Sequence, residues 1–368
     1  MTLAEILEAH WAAYVERVGG LHRVPVEHRR AVEAVLSCRT PRKGGHAHRC
    51  TKCGKRHFAY HSCNHRACPA CGGHDQRQWA SNQQARLLPV PYYMITPTVP
   101  DKLRWIFLHA PRETYGLLFE SAWGALRELC QNPRRLGGDP AALAILHTWT
   151  RQMLHHPHIH LIVPAIAVAP GGCRLAHPPS ERFLIAWQPL VKRIRNRFHQ
   201  TLAKRHPDLH RKVDPSVWKT QWRINCAHVG KGKTALRYAA AYVSKTAFSE
   251  QRLRGYDDAG RIRLRCKDSD TRQWRTVPLQ PVEFIRRWLI HVLPKGFVRV
   301  RHYGFLSPAA HKALRRVRHL LGLGAQPKPE KIHLPPLPCP HCDGHLECIG
   351  KIPPQRGPPF YREILSAA

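Results

Sequence analysis

Five cysteines crowd between Cys50 and Cys71, inside a stretch (about 41–75) dense in Cys, His and Gly. A segment so short and polar cannot enclose a core and holds a shape only when something staples it. Cys50-Thr-Lys-Cys53 and Cys68-Pro-Ala-Cys71 are C-x-x-C pairs separated by 14 residues. Two residues between thiolates let both sulfurs of a tight turn face one tetrahedral ion, and Gly54 and Gly72 relax the two turns. The spacing predicts one structural zinc held by Cys50, Cys53, Cys68 and Cys71, with no open coordination position. Thirteen cysteines is an odd number, and the N-terminus lacks the charge order of an export signal, so metal ligation is favoured over disulfides. A second zinc on Cys38, His46, His61 and Cys63 is the alternative to reading these histidines as surface residues.

Charge narrows the partner. Lys and Arg number 59 against 24 Asp and Glu, a formal charge of +35 with all 27 His neutral. That excess points to a polyanion, nucleic acid first. Apolar residues make up 43% of the 368, as in a globular protein. No run approaches the ~18 apolar residues of a membrane span. The expected location is the cytoplasm, with no membrane partner.

Four parts follow in order: a helical segment (1–40), a zinc-binding module (41–84), a large mixed domain (85–322) and a Pro-rich tail (323–368). From Pro327 the last part carries ten of the 32 prolines and reads as mostly extended. Its pair Cys339-Pro-His-Cys342, with His345 or Cys348 near, is half of a zinc knuckle or two free thiols, the latter favoured.

Two further motifs could carry chemistry, the alternatives being a solvated or packed histidine pair and a buried aromatic pair. His156-Pro-His158-Ile-His160-Leu-Ile-Val163 has a strand's composition, so His158 and His160 share one face with His156 behind them. Such a pair can converge on a divalent ion if a neighbour adds a third ligand; His156, a Gln or an acidic residue are the candidates. Leu236-Arg-Tyr238-Ala-Ala-Ala-Tyr242-Val-Ser-Lys245 reads as a helix with both tyrosines on one face, in a setting of Arg237, Lys245 and the Gly230-Lys-Gly-Lys233 run. A tyrosine oxygen would attack a phosphodiester while the metal polarises it. The bond energy is retained on tyrosine, so no nucleotide cofactor is needed, and no phosphate-binding G-x-x-x-x-G-K-[ST] loop is present.

In order and completeness these motifs resemble the IS91 family of rolling-circle transposases, two-tyrosine members of the HUH nuclease class. The resemblance runs through Cys38-Arg-Thr-Pro, Gly44-Gly45-His46, Tyr60-His-Ser-Cys63-Asn-His-Arg-Ala-Cys68-Pro-Ala-Cys71, Leu87-Leu-Pro-Val-Pro-Tyr-Tyr93, the histidine strand, the tyrosine helix and Leu293-Pro-Lys-Gly-Phe297 to Phe305. It implies an α+β fold, an antiparallel-sheet HUH nuclease domain with packed helices preceded by a zinc-binding module. It implies His158 and His160 as ligands of magnesium or manganese, and Tyr238 and Tyr242 as nucleophiles. The stretch Pro164 to Gly172 is less Gly-rich than the family pattern, and Tyr242 is followed by Val-Ser-Lys rather than a basic pair.

Single-stranded or hairpin DNA is the expected substrate, with a host helicase as a further partner because no motor motif is visible. Between Phe284 and Gly322 lie nine Lys or Arg, no acidic residue, and interleaved Phe284, Trp288, Phe297, Tyr303 and Phe305, read here as rings on which bases stack. A second basic stretch runs from Arg182 to Lys233. Alternative readings are a plasmid replication initiator of the same class and a non-catalytic zinc-dependent DNA-binding protein. A transposase using a carboxylate triad is disfavoured because acidic residues are scarce.

Overall fold

The chain enters its first helix through a reciprocal cap. In the computed structural model, which describes all residues except 72, 180–183, 221, 233, 235–245, 269–270, 334 and 368, the Glu5 amide donates to Thr2 Oγ1 and the Thr2 amide to the Glu5 carboxylate. Helix α1 (Leu3–Arg17) buries Leu3, Ile6, Leu7, Trp11, Tyr14 and Val15, a stripe of helical period. Helix α2 (Val26–Leu36) adds Ala31, Val32, Val35 and Leu36. The partners of this stripe lie far along the chain: Phe248, Leu264, Phe284 and Trp288 share its core. The first 40 residues are therefore not self-contained.

Next comes a hairpin of β1 (Gly45–Cys50) and β2 (Arg56–Tyr60), then α3 (Gly73–Gln84). The larger sheet that follows has five antiparallel strands. They are β3 (Pro91–Thr98), β4 (Ala142–Trp149), β5 (His155–Pro164), β8 (Arg223–Lys231) and β12 (Val300–Tyr303), in the order β12-β4-β5-β3-β8. A short hairpin of β6 (Ala167–Val168) and β7 (Leu175–Ala176) follows β5.

The central position of β5 explains its composition, since both its faces are covered. Ile159, Leu161 and Val163 face helices α4 (Arg104–His109), α5 (Pro111–Gln131) and α6 (Trp187–Arg205). On the opposite face Ile162 packs with Met94, Ile145 and Leu143 beneath Leu314 and Val317 of the helix His311–Leu320. A smaller sheet of β9 (Leu253–Tyr256), β10 (Ile262–Lys267) and β11 (Trp274–Leu279) joins the N-terminal core with the helix Pro281–Leu289. The architecture is a mixture of helices and antiparallel sheets, an α+β fold.

The Pro-rich C-terminal part differs from the extended tail its composition suggests. Strand β14 (His345–Ile352) pairs with β13 (Leu337–Pro338) on one side and with β1 on the other, making a four-stranded sheet β13-β14-β1-β2. Gly44 and Gly45 lie where this sheet is tightest: a Cβ would sit 2.6 Å from the Ile352 carbonyl oxygen at Gly44 and 2.3 Å from that of Ala59 at Gly45. The last helix, Phe360–Ala367, packs Phe360, Tyr361 and Ile364 against the α1–α2 core. Proline disfavours strand because it removes ladder donors, yet the run 345–352 contains none.

Candidate metal centres

The structure does not bring Cys50, Cys53, Cys68 and Cys71 to one point. It divides them between two quartets, Cys38-Cys63-Cys68-Cys71 and Cys50-Cys53-Cys339-Cys342, in each of which all sulfurs lie within 4.8 Å of one another. The hairpin is the reason. Arg49 pairs with Arg56 near its turn and Gly45 with Tyr60 at its open end. Cys50 and Cys53 belong to the turn, whereas Cys63, Cys68 and Cys71 follow the open end. Five strand residues at roughly 3.4 Å each hold the two groups about 17 Å apart. Two sulfurs on one tetrahedral zinc need about 3.8 Å, from a Zn–S bond of about 2.3 Å. The expected second set also splits, since His46 and His61 bond each other at 3.2 Å, outside the quartet that takes Cys38 and Cys63.

The first quartet has the local turns that ligation demands. Arg39 (φ 59°) and Asn64 (φ 51°) reverse the chain in the left-handed region directly after Cys38 and Cys63. The Cys63 amide donates to Cys38 Sγ at 3.4 Å and the His65 amide to Cys63 Sγ at 3.5 Å. Cys63 and Cys71 sulfurs are 3.5 Å apart, near a tetrahedral edge and far beyond the ~2.05 Å of a disulfide. Hydrogen bonds from the Cys63 and Cys68 thiols hold Cys38 far below the ordinary thiol range. Four soft donors with amide support match structural zinc.

The third cluster lies on the large sheet. Side chains at alternate positions share a face, so His158 and His160 of β5 lie in line with Ile162, and His147 of β4 in line with Ile145 and Leu143. Register places His147 opposite His158. One end of this face is apolar core, and the other end carries three buried imidazoles whose nitrogens lie within 4.8 Å of one another. His147 Nδ1 is 3.1 Å from His158 Nε2.

Neighbours orient two of the rings. His158 Nδ1 donates to the His156 carbonyl at 2.7 Å, which leaves its Nε2 as the acceptor. Thr96 Oγ1, from β3, shares a hydrogen bond of 3.1 Å with His160 Nδ1. These are the outer contacts that fix a ligating histidine. Burial pulls His158 down to about 4, so it is neutral at pH 7, the form that binds metal. His156, a candidate third ligand from the sequence, is engaged elsewhere: Arg104 donates to its Nδ1 at 2.7 Å. His147 is the residue that sequence reasoning missed. Its signal was present in Leu143-Ala-Ile145-Leu-His147, which alternates in the same phase as the histidine strand. Arg104 and Arg223 act electrostatically on His156 and place positive charge beside the cluster.

Tyr238 and Tyr242 lie outside the described residues. Those on either side are placed: Lys231 pairs with Pro91 at one end of β3, while Thr246 and Ala247 line a small cavity with Thr148, Trp149 and Arg299. Trp149 in turn touches His147, ring centroids 4.0 Å apart.

The aromatic residues expected to stack on bases are core residues instead. Phe284, Trp288, Phe297 and Phe305 are all buried, and Tyr303 stacks on Trp123 at 4.7 Å. In Pro281–Leu289 the buried positions 281, 284, 285, 288 and 289 have a helix's period, the signature of packing. Among the described residues the exposed rings are Phe58, Trp187, Tyr256 and Trp274. Among the described residues no helix is long and apolar enough to cross a membrane.

Residues 141–314 match the family described as "Putative transposase", and residues 6–99 match the transposase zinc-binding domain. The chain is 33% identical over 329 residues to "Putative transposase y4qJ" of Sinorhizobium fredii, covering 83% of this chain and 81% of the relative. It is 27% identical over 309 residues to the transposase for insertion sequence element IS801 of Pseudomonas savastanoi pv. phaseolicola, covering 81% and 73%. No solved structure matches significantly.

Proposed function

We propose that this chain, which belongs to the IS91 family of transposases with an N-terminal zinc-binding domain, moves DNA by cutting and rejoining one strand through tyrosine. The observation that carries this reading is the histidine cluster. His147, His158 and His160 converge from adjacent strands, and the His156 carbonyl and Thr96 orient two of them. Magnesium or manganese held there would neutralise charge on a scissile phosphate and leave coordination positions open for its oxygens.

The chain's own groups do the rest. Arg104 and Arg223 sit where a DNA phosphate would approach the cluster. The phenolic oxygen of Tyr238 or Tyr242 attacks phosphorus as the bond from phosphorus to the 3′-oxygen breaks. The 5′-phosphate stays on tyrosine and the 3′-oxygen leaves as a hydroxyl, so the net transfer needs no outside energy. A hydroxyl end attacking that linkage reverses the step and joins a new strand. Of the described residues flanking the tyrosine segment, Thr246 lines a cavity with Trp149, whose ring touches His147, and this nearness supports the role. The first cysteine quartet supplies the structural zinc of the N-terminal module.

The deciding experiment is covalent trapping on single-stranded oligonucleotides from the element's flanks, labelled 3′ of the cleavage site. A manganese-dependent adduct that survives denaturation, and is lost in Tyr238→Phe or Tyr242→Phe, is expected. DNA binding without adduct across all flanks would favour the non-catalytic binding protein.

A further inference from the structure

Cys339-Pro-His-Cys342, half of the second cysteine quartet, takes no part in the strand-transfer reading and lies beyond the residues matched to the zinc-binding domain. The geometry points to a second structural zinc, held by Cys50 and Cys53 from the β1–β2 turn and by Cys339 and Cys342 from the far end of the chain. The inference goes beyond the strand-transfer reading and does not depend on it.

The donor set fits a tetrahedral ion. Cys50 Sγ is 3.5 Å from Cys342 Sγ, and Cys53 Sγ is 3.8 Å from Cys339 Sγ. Those separations match a zinc tetrathiolate edge of about 3.8 Å and exceed a disulfide bond nearly twofold. The two turns repeat each other. The Lys52 amide donates to Cys50 Sγ and the His341 amide to Cys339 Sγ, each at 3.4 Å, from two residues further on. The amides of Cys53 and Gly344 also donate to sulfur, again at 3.4 Å. Amides aimed at sulfur favour thiolate, the form that binds metal.

Close packing of the two turns is built into their residues. A Cβ on Gly344 would lie 2.9 Å from Cys50 Sγ and 2.8 Å from Lys52 Cβ, so only glycine lets the turns approach. Lys52 Nζ bridges to Asp343 at 2.6 Å, and the Thr51 amide donates to the His345 carbonyl at 3.0 Å. From there β14 runs back along β1, pairing Cys50 with Leu346 through to Gly45 with Ile352. The zinc would pin one end of this ladder. Arg42 secures the other, bonding the Pro358 carbonyl, pairing with Glu363 and lying 3.8 Å above the Phe360 ring.

The test uses the full chain, with zinc content measured by elemental analysis and thiol accessibility by alkylation and peptide mapping. In the native wild type, Cys50, Cys53, Cys339 and Cys342 should resist alkylation, and a chelator should expose them. A Cys339→Ser/Cys342→Ser variant should hold one zinc fewer per chain. Its Cys50 and Cys53 should react at least tenfold faster while Cys38, Cys63, Cys68 and Cys71 stay protected. Cys348→Ser, an exposed thiol outside the quartet, should change neither quantity. Equal zinc content in wild type and double variant would overturn the assignment. So would iron in place of zinc, a Cys50–Cys342 disulfide under reducing isolation, or alkylation of the four wild-type thiols as fast as in urea. The wild-type map decides the matter even if the double variant does not fold.

Discussion

The first cysteine quartet and the histidine trio are both clusters of metal-type donors, yet they are built on opposite plans. The cysteines sit on turns, brought together by left-handed residues and amide-to-sulfur bonds in a segment with little core of its own. Four thiolates fill a tetrahedron and leave nothing for a substrate. The histidines sit on adjacent strands of a sheet packed on both faces, whose register and packing hold them together. Three imidazoles leave positions open. In the proposed reading, metal shapes the protein at one site, and at the other the protein would shape the surroundings of a metal.

Removing a ligand from each site tests that contrast. Cys63→Ser should cost the most, since ligand binding at such sites is itself folding energy, on the order of 10 kcal/mol. One zinc equivalent should be lost, with early proteolysis within residues 1–71. A stable module with full zinc would sink the ligand assignment. His158→Ala should leave the melting temperature within a few degrees and cut adduct formation by roughly 1000-fold, the several kcal/mol expected of a lost Lewis acid. If melting collapsed instead, the two sites would be alike and the contrast false.

Finer changes sharpen it. Thr96→Val removes the hydroxyl beside His160 and should weaken manganese activation by roughly 10- to 100-fold, recovered at high manganese. Isothermal titration of the metal and adduct assays across a manganese series should agree. Arg223→Ala should have the smallest effect, lowering the log–log salt slope of single-strand binding by about 0.7 with cleavage chemistry intact. An unchanged slope would remove Arg223 from the phosphate path.

The same contrast marks what was legible in the sequence. Histidine alternation within one strand predicts a shared face, because a period of two is local and survives any tertiary context. The ladder partner His147 is eleven residues away across a turn, and pairing register is not a local property. The C-x-x-C spacing likewise identifies the donor chemistry of each turn but not which turns share an ion. That depended on a strand 5 or 6 residues long separating neighbours in sequence, and on β14 returning from the far end. The interleaved aromatics mislead for a different reason: composition reads them as rings among cations, while the helical spacing of Phe284 and Trp288 already marks those two as core.

One last consequence lies in time. Cys53 and Cys339 are 286 residues apart, and the ribosome adds roughly 5–20 residues per second. The β1–β2 turn therefore waits roughly 15–60 s for its other half to be made. During that interval the large sheet can form, but strand β1 has an open edge and two thiols without their partners. A chain cut short before residue 339 keeps every histidine of the candidate centre and yet never closes this sheet. Until residues 345–352 have been made, the edge of β1 stays open to any protease that seeks an unpaired strand.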